Sequence, residues 1–363
     1  MDINKIKESG FLLNSEEYAN VNNVAFLSLR NALHNYFSTY SSVKYQLGKI
    51  QRNTGSLMDP DEEKVFYNSR YIDNACSAIT SFHHFVELII KDILFREHPL
   101  LALEAEDKHD IFYDLLFQKE IDEKAYENLK QIEFSKAFKR LKTLIKSGKI
   151  DPQKYHFIVD SKYDNFLNGL SFLRNRIIHR GVFVLEYTAL DALFGMYALP
   201  FLLELIGLEE YGKNHWWRYR SLAIELDPID EIINAYRENS TNMGKIALLK
   251  ELGKAAYSNP LQYSSKHETE FFNFFDREIV EKAELISKHI TRNGDSETQC
   301  PVCDTNALVL YQDSADIFDD SGEEIGCETF IFKVECQCCS LELNGEVGDI
   351  KKMGLQLPDY WRL

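Results

Sequence analysis

The chain has 363 residues, enough for two or three domains at roughly 150 residues each. Hydrophobic residues make up 45% and charged residues 27%, a globular balance that excludes a disordered or fibrous chain. With 41 Lys plus Arg against 57 Asp plus Glu, the net charge is −16, which excludes a generic histone-like binder and leaves room only for local basic sites.

The 24 Phe, 19 Tyr and 3 Trp can fill a sizeable core. The longest apolar stretch, Ala192 to Leu203, is flanked by Asp191 and Glu204 and contains Pro200. It falls short of the about 20 apolar residues of a membrane helix, so no span and no membrane partner are expected. The opening MDINKIKESG lacks the apolar region of a signal peptide. A cytoplasmic chain with reduced thiols is therefore expected.

In chain order, residues 1–65 read as an N-terminal helical extension, with Val21, Val24, Leu27, Leu29 and Leu33 near helical spacing and a break at Asp59-Pro60. Residues 66–207 read as one helical domain. Ile79, Phe82, Val86, Ile89, Ile90 and Ile93 form one apolar stripe, and Phe134, Phe138, Leu141 and Ile145 a second. Ser161 with Asp164 resembles a capping box, opening a helix with Phe166, Leu170, Leu173 and Ile177 on one face. A fourth segment, Tyr187 to Ile206, is apolar nearly all round and stops at Gly207. Such a segment is either deeply buried or pressed against another subunit.

Residues 208–295 read as a helical connector. Trp216–Arg220 lies in a linking stretch, and a second capping box, Ser265–Glu268, opens its last helix. Residues 296–363 change to alternating strand patterns, Leu308–Tyr311 and Thr329–Glu335, with Asp320-Ser321-Gly322 as a turn.

Six of the seven cysteines lie between Cys300 and Cys339. Cys300-Pro-Val-Cys303 and Cys336-Gln-Cys-Cys339 are C-x-x-C knuckles, a gap that lets one turn aim two sulfurs at one ion about 2.3 Å away. Two knuckles separated by strands give a zinc ribbon, with Zn²⁺ held by Cys300, Cys303, Cys336 and Cys339; an iron–sulfur cluster is the lesser alternative. Four thiolates leave no open position, so the zinc would be structural, and no catalytic metal is expected. Cys327 and Cys338 are spare; Cys338 could replace a neighbour, but Cys336 with Cys339 fits the knuckle spacing better. From Asp295 to Phe332 there are ten acidic residues and no Lys or Arg. This ribbon would repel phosphates; it reads either as a solvated acidic loop or as a docking surface for a protein partner or trigger.

The most informative stretch is Leu173-Arg174-Asn175-Arg176-Ile177-Ile178-His179-Arg180-Gly181. His179 and Arg180 before Gly181 also describe an ordinary helix C-terminus, with cations at the negative end of the dipole. The surrounding charge argues for more. From Ser135 to Arg180, eleven Lys plus Arg face three Asp, a net of +8 within an acidic chain. Such a concentration is suited to holding an anion. Five residues at about 100° each put Arg174 and His179 roughly 140° apart on an ideal helix, so they share a face only if the helix is broken between them. Asn175 and His179 do share one.

Arg174-Asn175-…-His179 and the earlier helix Phe82–Lys91, with Glu87 and Lys91 four apart, resemble the HEPN superfamily of helical RNase-related domains. Its signature is Arg, four to six residues, then His, commonly with a polar residue after the Arg. The resemblance covers residues 66–206 and implies a helical bundle that cleaves RNA without metal at a composite homodimer site. Under it, His179 would be the general acid or base at the ribose 2′-OH, Arg174 would stabilise the phosphate and Asn175 would orient one of them. Lys139, Arg140, Lys142, Arg176 and Arg180 would contact the RNA. His83-His84 reads as partly buried structure and Glu87–Lys91 as an i,i+4 ion pair.

The expected protein is thus mainly α: a HEPN-like helical bundle with helical extensions and a small C-terminal β zinc ribbon. Its expected function is that of a metal-independent endoribonuclease in a prokaryotic toxin or antiviral (abortive infection) response. The alternatives are a catalytically silent HEPN-like module that regulates a partner through its acidic ribbon, and a nucleotide- or phosphate-sensing domain.

Overall fold

The computed structural model describes residues 24–53, 67–104, 108–117, 119, 129–214, 217–263, 270–291, 295–318 and 322–357. Val21, the Asp59-Pro60 break, Trp216, the Ser265–Glu268 cap and Asp320-Ser321 lie outside them. The described residues are mainly helical, with a small C-terminal antiparallel sheet of four strands.

In chain order the longer helices are α1 Val24–Val43, α2 Leu47–Asn53, α3 Ser69–Glu97, α4 His109–Leu116, α5 Phe134–Lys146, α6 Pro152–Val159 and α7 Ser161–Asn175. There follow α8 Tyr187–Leu193, α9 Leu199–Ile206, α10 Pro228–Arg237, α11 Met243–Ser258 and α12 Glu270–Ile290. A π-helical turn, Arg176–Arg180, extends α7, and another, Phe194–Ala198, joins α8 to α9. The short strands β1 (Leu103–Glu104) and β2 (Lys130–Gln131) pair antiparallel. The larger sheet runs β3 (Ser296–Thr298), β4 (Leu308–Phe318), β5 (Glu324–Cys336) and β6 (Glu342–Asn344), in that order.

The chain forms two compact units, each discontinuous, where four consecutive segments are expected. The first draws on Met1–Ala32, Ile79–Phe183 and Phe201–Trp217; the second on Leu33–Ala78, Val184–Pro200 and Arg218–Leu363.

In the first unit, the α3 stripe Ile79, Phe82, Val86, Ile89, Ile90 and Ile93 is buried throughout. The α5 stripe Phe134, Phe138, Leu141 and Ile145 is buried with it. Each such side chain removed from water contributes about 1.5–3 kcal/mol. At the start of α1 the periodicity misleads in part: Leu29 and Leu33 of the expected stripe are buried, but Val24 and Leu27 are exposed, and Ala25 and Phe26 are buried in their place. A single turn of β-branched and leucyl residues is compatible with two faces, and packing chooses between them. The cap of α7 is also shifted by one residue. Asp160 is the N-cap, accepting from the Lys162 N–H at 2.8 Å, while Asp164 turns away to Lys142. The carboxylate at position 160 displaces Ser161 as the acceptor for the first-turn donors. Phe201 of α9 packs among Phe157, Tyr163 and Phe166, with ring centroids 5.4–6.0 Å apart.

In the second unit, α11 is buried on almost every side. Gly253 allows this, since a Cβ there would lie 2.5 Å from the Phe37 ring. Tyr36 stacks on Phe194 at 4.2 Å and 4°. Lys250 of α11 is fully buried and reaches Asp191 of α8 at 2.6 Å, with its ammonium 3.8 Å from the Tyr187 ring centroid. Burial pushes the Lys250 ammonium down to about 8, although Asp191 opposes the shift. Replacing Lys250 by Met is expected to cost about 3–5 kcal/mol, because Asp191 is left buried without its partner. Urea denaturation measures this, and adding Asp191→Leu to that variant should restore part of the loss. A double variant no more stable than Lys250→Met would contradict the pairing.

The segment Tyr187–Ile206 has the length and hydropathy of a membrane span, contrary to the sequence estimate, but half of its apolar window is buried inside the protein. Tyr187, Leu190, Phe194, Leu199, Phe201 and Leu202 are each exposed by 1% or less. Of the two roles expected for it, core and subunit contact, these residues serve the core.

The four-stranded sheet belongs to the second unit rather than to a separate segment. The Glu342 N–H of β6 donates to the Glu251 carboxylate of α11 at 2.8 Å, and Lys44 pairs with the Glu342 side chain at 2.5 Å. The sheet's inner end, with Leu308, Val309, Val334, Leu341 and Leu343, is buried. The β4–β5 hairpin then runs outward with both faces exposed from Gln312 to Ile317 and mostly so from Glu324 to Phe332. Gly322, with φ +82°, takes the left-handed conformation in the turn where Asp-Ser-Gly is expected.

Candidate functional site

Two sites emerge, one in each unit. The first is built on α5 and α7. Lys142 of α5 donates to both carboxylate oxygens of Asp164 on α7, at 2.6 and 2.7 Å. Near this pair lies a cleft of about 350 Å³. From α5 it is lined by Phe134, Ser135, Phe138, Lys139 and Lys142, residues one helical turn apart. From α7 it is lined by Asn168 and Ser171. The steps 168, 171, 175 and 179 follow one helical face, so the polar stripe that walls the cleft continues to Asn175 and His179.

The helix does not break between Arg174 and His179. It widens. The turn Arg176–Arg180 is π-helical, and i→i+5 bonding makes residues five apart neighbours along the axis. Gly181, at φ +65°, ends the turn, and its N–H caps the Ile177 carbonyl at 3.1 Å. Arg174 is half-buried and donates to the Asn175 side-chain oxygen at 3.0 Å. Asn175, His179 and Arg180 are exposed. The Arg176 guanidinium lies 3.8 Å from the Phe183 ring centroid and 5.6 Å from that of Phe172. Phe172, Ile178 and Val182 are exposed by 61%, 50% and 85%, an apolar surround for the motif.

The five residues expected to contact RNA divide. Lys139 is exposed at the cleft, and Lys142 is there but paired with Asp164. Arg140 is drawn off to the carbonyls of Leu100 and Leu101, at 3.1 and 2.7 Å, where it satisfies backbone acceptors. Arg176 stacks on aromatic rings, and Arg180 stands in the open. Asn168 and Ser171 were not singled out from sequence, and Phe134 and Phe138 only as part of an apolar stripe. The signal for the first two was there, in the polar stripe opposite Phe166 and Leu170.

His83 on α3 is 3% exposed, with its ring 4.6 Å from that of Phe134. Its Nδ1 lies 3.9 Å from Glu87, which Lys91 holds at 2.6 Å. Burial, helped by the Arg174 charge and opposed by Glu87, pushes the imidazole down to about 4. The folded state therefore holds His83 neutral where the unfolded chain, near 6.5, is protonated. This stability is present above about pH 6.5 and lost as the pH falls towards 4. His83→Leu is expected to flatten the pH dependence of the unfolding free energy in that window. An unchanged slope in the variant would contradict the assignment. His84 points elsewhere, with Nδ1 2.9 Å from the Ser28 hydroxyl.

The second site is the cysteine cluster. The ligand atoms of Cys300, Cys303, Cys336 and Cys339 all lie within 4.8 Å of one another, and all four residues are buried. Cys300–Cys339 and Cys303–Cys336 Sγ separations are 3.6 Å. A tetrahedron with metal–sulfur bonds of about 2.3 Å has edges near 3.8 Å. The first knuckle links β3 to β4, and the second links β5 to β6. Leu308, at the start of β4, pairs with Cys336 at the end of β5, which brings the knuckles together.

The knuckles share one geometry. The Val302 N–H donates to Cys300 Sγ at 3.5 Å, and the Cys338 N–H to Cys336 Sγ at 3.4 Å. Asp304 and Ser340, each directly after the second cysteine, have φ of +63° and +60°. These are uncommon values for non-glycine residues, and they reverse the chain sharply after each pair. N–H groups aimed at sulfur favour thiolate over thiol, so the donor set fits a structural zinc ion. Cys338 is half-buried and Cys327 is exposed on the hairpin.

The connector Arg218–Arg220 is packed structure in its second-unit residues. Arg218 and Tyr219 bind the two Asp227 oxygens at 2.6 and 2.7 Å, and Arg220 donates to the Leu261 carbonyl. Compared with models of protein families, with curated proteins and with solved structures, the chain matches none.

Proposed function

We propose that the first unit is a HEPN-like, metal-independent endoribonuclease acting through Arg174, Asn175 and His179. One observation carries this proposal. A single helical face leads from the cleft through Asn175 to His179, and Arg174 donates to the Asn175 side chain on that face. In the proposed reaction, His179 takes the proton of a ribose 2′-OH as that oxygen attacks the adjacent phosphorus. The P–O5′ bond breaks and the leaving 5′-oxygen takes up the proton that His179 accepted, giving a 2′,3′-cyclic phosphate and a 5′-hydroxyl. Imidazole suits this proton transfer because it titrates near neutrality. Arg174 supplies a permanent planar charge to the phosphate. Asn175, hydrogen-bonded to Arg174, orients the guanidinium.

The active form is proposed to be a homodimer, with the exposed Phe172, Ile178 and Val182 at the contact and two His179 copies near each other. Two-fold dimers are the commonest assemblies, and an exposed apolar patch is their usual surface. The acidic hairpin, which carries no Lys or Arg from Asp295 to Phe332, would receive a protein partner or trigger. The zinc would be structural, held by the four clustered cysteines. A toxin or antiviral role follows from the resemblance.

Light scattering tests the dimer. A mass of twice 42.2 kDa is expected at micromolar concentration, falling to one chain when Ile178→Asp and Val182→Asp are combined. A monomeric parent protein would overturn the composite site.

A further inference from the structure

The β4–β5 hairpin has two edges, and they differ. β3 pairs with β4 only as far as Leu310, and β6 pairs with β5 only from Lys333 to Glu335. Beyond these points β4 and β5 pair with each other and with no other described strand. In an antiparallel pair, the N–H and C=O groups of alternate residues point away from the partner strand. On β4 the outward set includes Gln312 and Ser314, whose N–H groups donate to the carboxylates of Asp295 at 2.9 Å and Asp313 at 2.8 Å. These side chains close the β4 edge. Gln312 and Ser314 lie opposite Ile331 and Thr329, and Asp316 lies opposite Cys327. The backbone groups of Cys327, Thr329 and Ile331 therefore point outward on β5, and no described strand or side chain takes them. This open edge, Glu324–Phe332, is longer than a typical strand of about five to six residues.

The side chains on the edge say what fits it. Phe332, Phe330 and Glu328 follow one another along one face of β5, and all three are exposed. From Asp295 to Phe332 there are ten acidic residues and no Lys or Arg. Lys333, the next cation along the strand, is held by Glu335 and Glu342 at 2.6 and 3.5 Å. A second copy of the hairpin would set like charges opposite each other, which destabilises a strand pair. Charge on an open edge is also how proteins prevent pairing between their own copies, and here it leaves the edge open to a cationic strand. We propose that the β5 edge takes up a basic, extended segment of a partner protein as an added strand; this rests on, and makes specific, the partner role proposed above for the acidic hairpin. Main-chain hydrogen bonds to Cys327, Thr329 and Ile331 hold the segment. Lys or Arg opposite Glu328, with apolar residues opposite Phe330 and Phe332, select it.

The test is fluorescence anisotropy of labelled eight-residue peptides on the full-length, zinc-loaded protein. The probes are an alternating Lys/Val peptide, the same peptide N-methylated at every second residue, and its Glu/Val counterpart. The Lys/Val peptide is expected to bind about tenfold or more tightly than either of the others, because methylation keeps the charge and removes the strand-forming N–H groups. Thr329→Pro, which deletes an outward N–H, should lower its affinity about tenfold, since proline is tolerated on an edge and blocks pairing there. Ser314→Pro, on the edge already closed by Asp313, should leave binding unchanged. Glu324→Lys combined with Glu328→Lys keeps the strand and should reverse the preference towards the Glu/Val peptide, which decides the matter even if Thr329→Pro disturbs the hairpin. Bound Lys/Val peptide should also slow hydrogen exchange at the Cys327, Thr329 and Ile331 amides. Equal binding of the plain and N-methylated Lys/Val peptides overturns strand addition and leaves a partner held by charge alone. Binding of neither removes the basic partner as well. A preference that survives the double charge reversal, or equal losses in Thr329→Pro and Ser314→Pro, overturns the assignment to the β5 edge. RNA cleavage that depends on His179 is a separate readout and stands or falls apart from these outcomes.

Discussion

Replacing His179 by Ala is expected to lower RNA cleavage by about 10²-fold or more while leaving the fold intact, the size of effect typical of a general acid–base residue. His179 is exposed at the end of a helix, so truncating it disturbs no core packing. If His179 served only to face the helix dipole, the same change would cost roughly 1 kcal/mol of stability and spare activity. Arg174→Ala should match the loss. Arg174→Lys should rescue poorly, because an ammonium keeps the charge and loses the two-pronged geometry. Asn175 gives an internal control. Its side-chain oxygen accepts from Arg174, so Asn175→Ala should act through the guanidinium and weaken cleavage less than loss of Arg174 itself. The readouts are end-group analysis of the RNA products and growth arrest on overexpression. Cellular effects that survive both alanine substitutions would overturn the mechanism. So would cleavage abolished by EDTA while the ribbon zinc stays bound.

Cys300→Ser is expected to remove one Zn²⁺ per chain and to unfold the inner end of the four-stranded sheet. Metal binding and folding are coupled in such small domains, where structural zinc contributes apparent free energies of about 10–16 kcal/mol. Here the knuckles tie β3 to β4 and β5 to β6, and the strands alone bury few side chains beyond Leu308, Val309, Val334, Leu341 and Leu343. Hydrogen exchange should rise across Ser296–Asn344 and remain slow in the buried helix Met243–Ser258. Elemental analysis checks the metal directly. A parent protein without zinc, or a variant that keeps a full equivalent, would contradict the assignment. Loss of the Cys338 thiol should do neither, since it lies outside the cluster of four sulfurs.

The periodicity of α3 and α5 was legible because both helices bury one continuous stripe, and a 3.6-residue repeat determines that stripe locally. The cysteine knuckles were legible for the same kind of reason: a two-residue gap sets the sulfur separation within one turn, and only the pairing of Leu308 with Cys336 was needed to join them. The buried fate of Tyr187–Ile206 was half legible. Its apolarity is a sequence property, but an apolar helix can face a core, a bilayer or a second subunit, and its partners Tyr36 and Lys250 are distant in the chain. The discontinuous units, the ribbon anchored through Glu251, and the α5–α7 cleft belong to tertiary structure alone. So do the commitments of individual cations. Lys142 and Arg140 are two residues apart on one basic helix, yet one meets a carboxylate and the other two backbone carbonyls. A charge count sees both as available to phosphate. Long flexible side chains take whatever acceptor the fold brings near, and the sequence by itself determines their charge but not their partner.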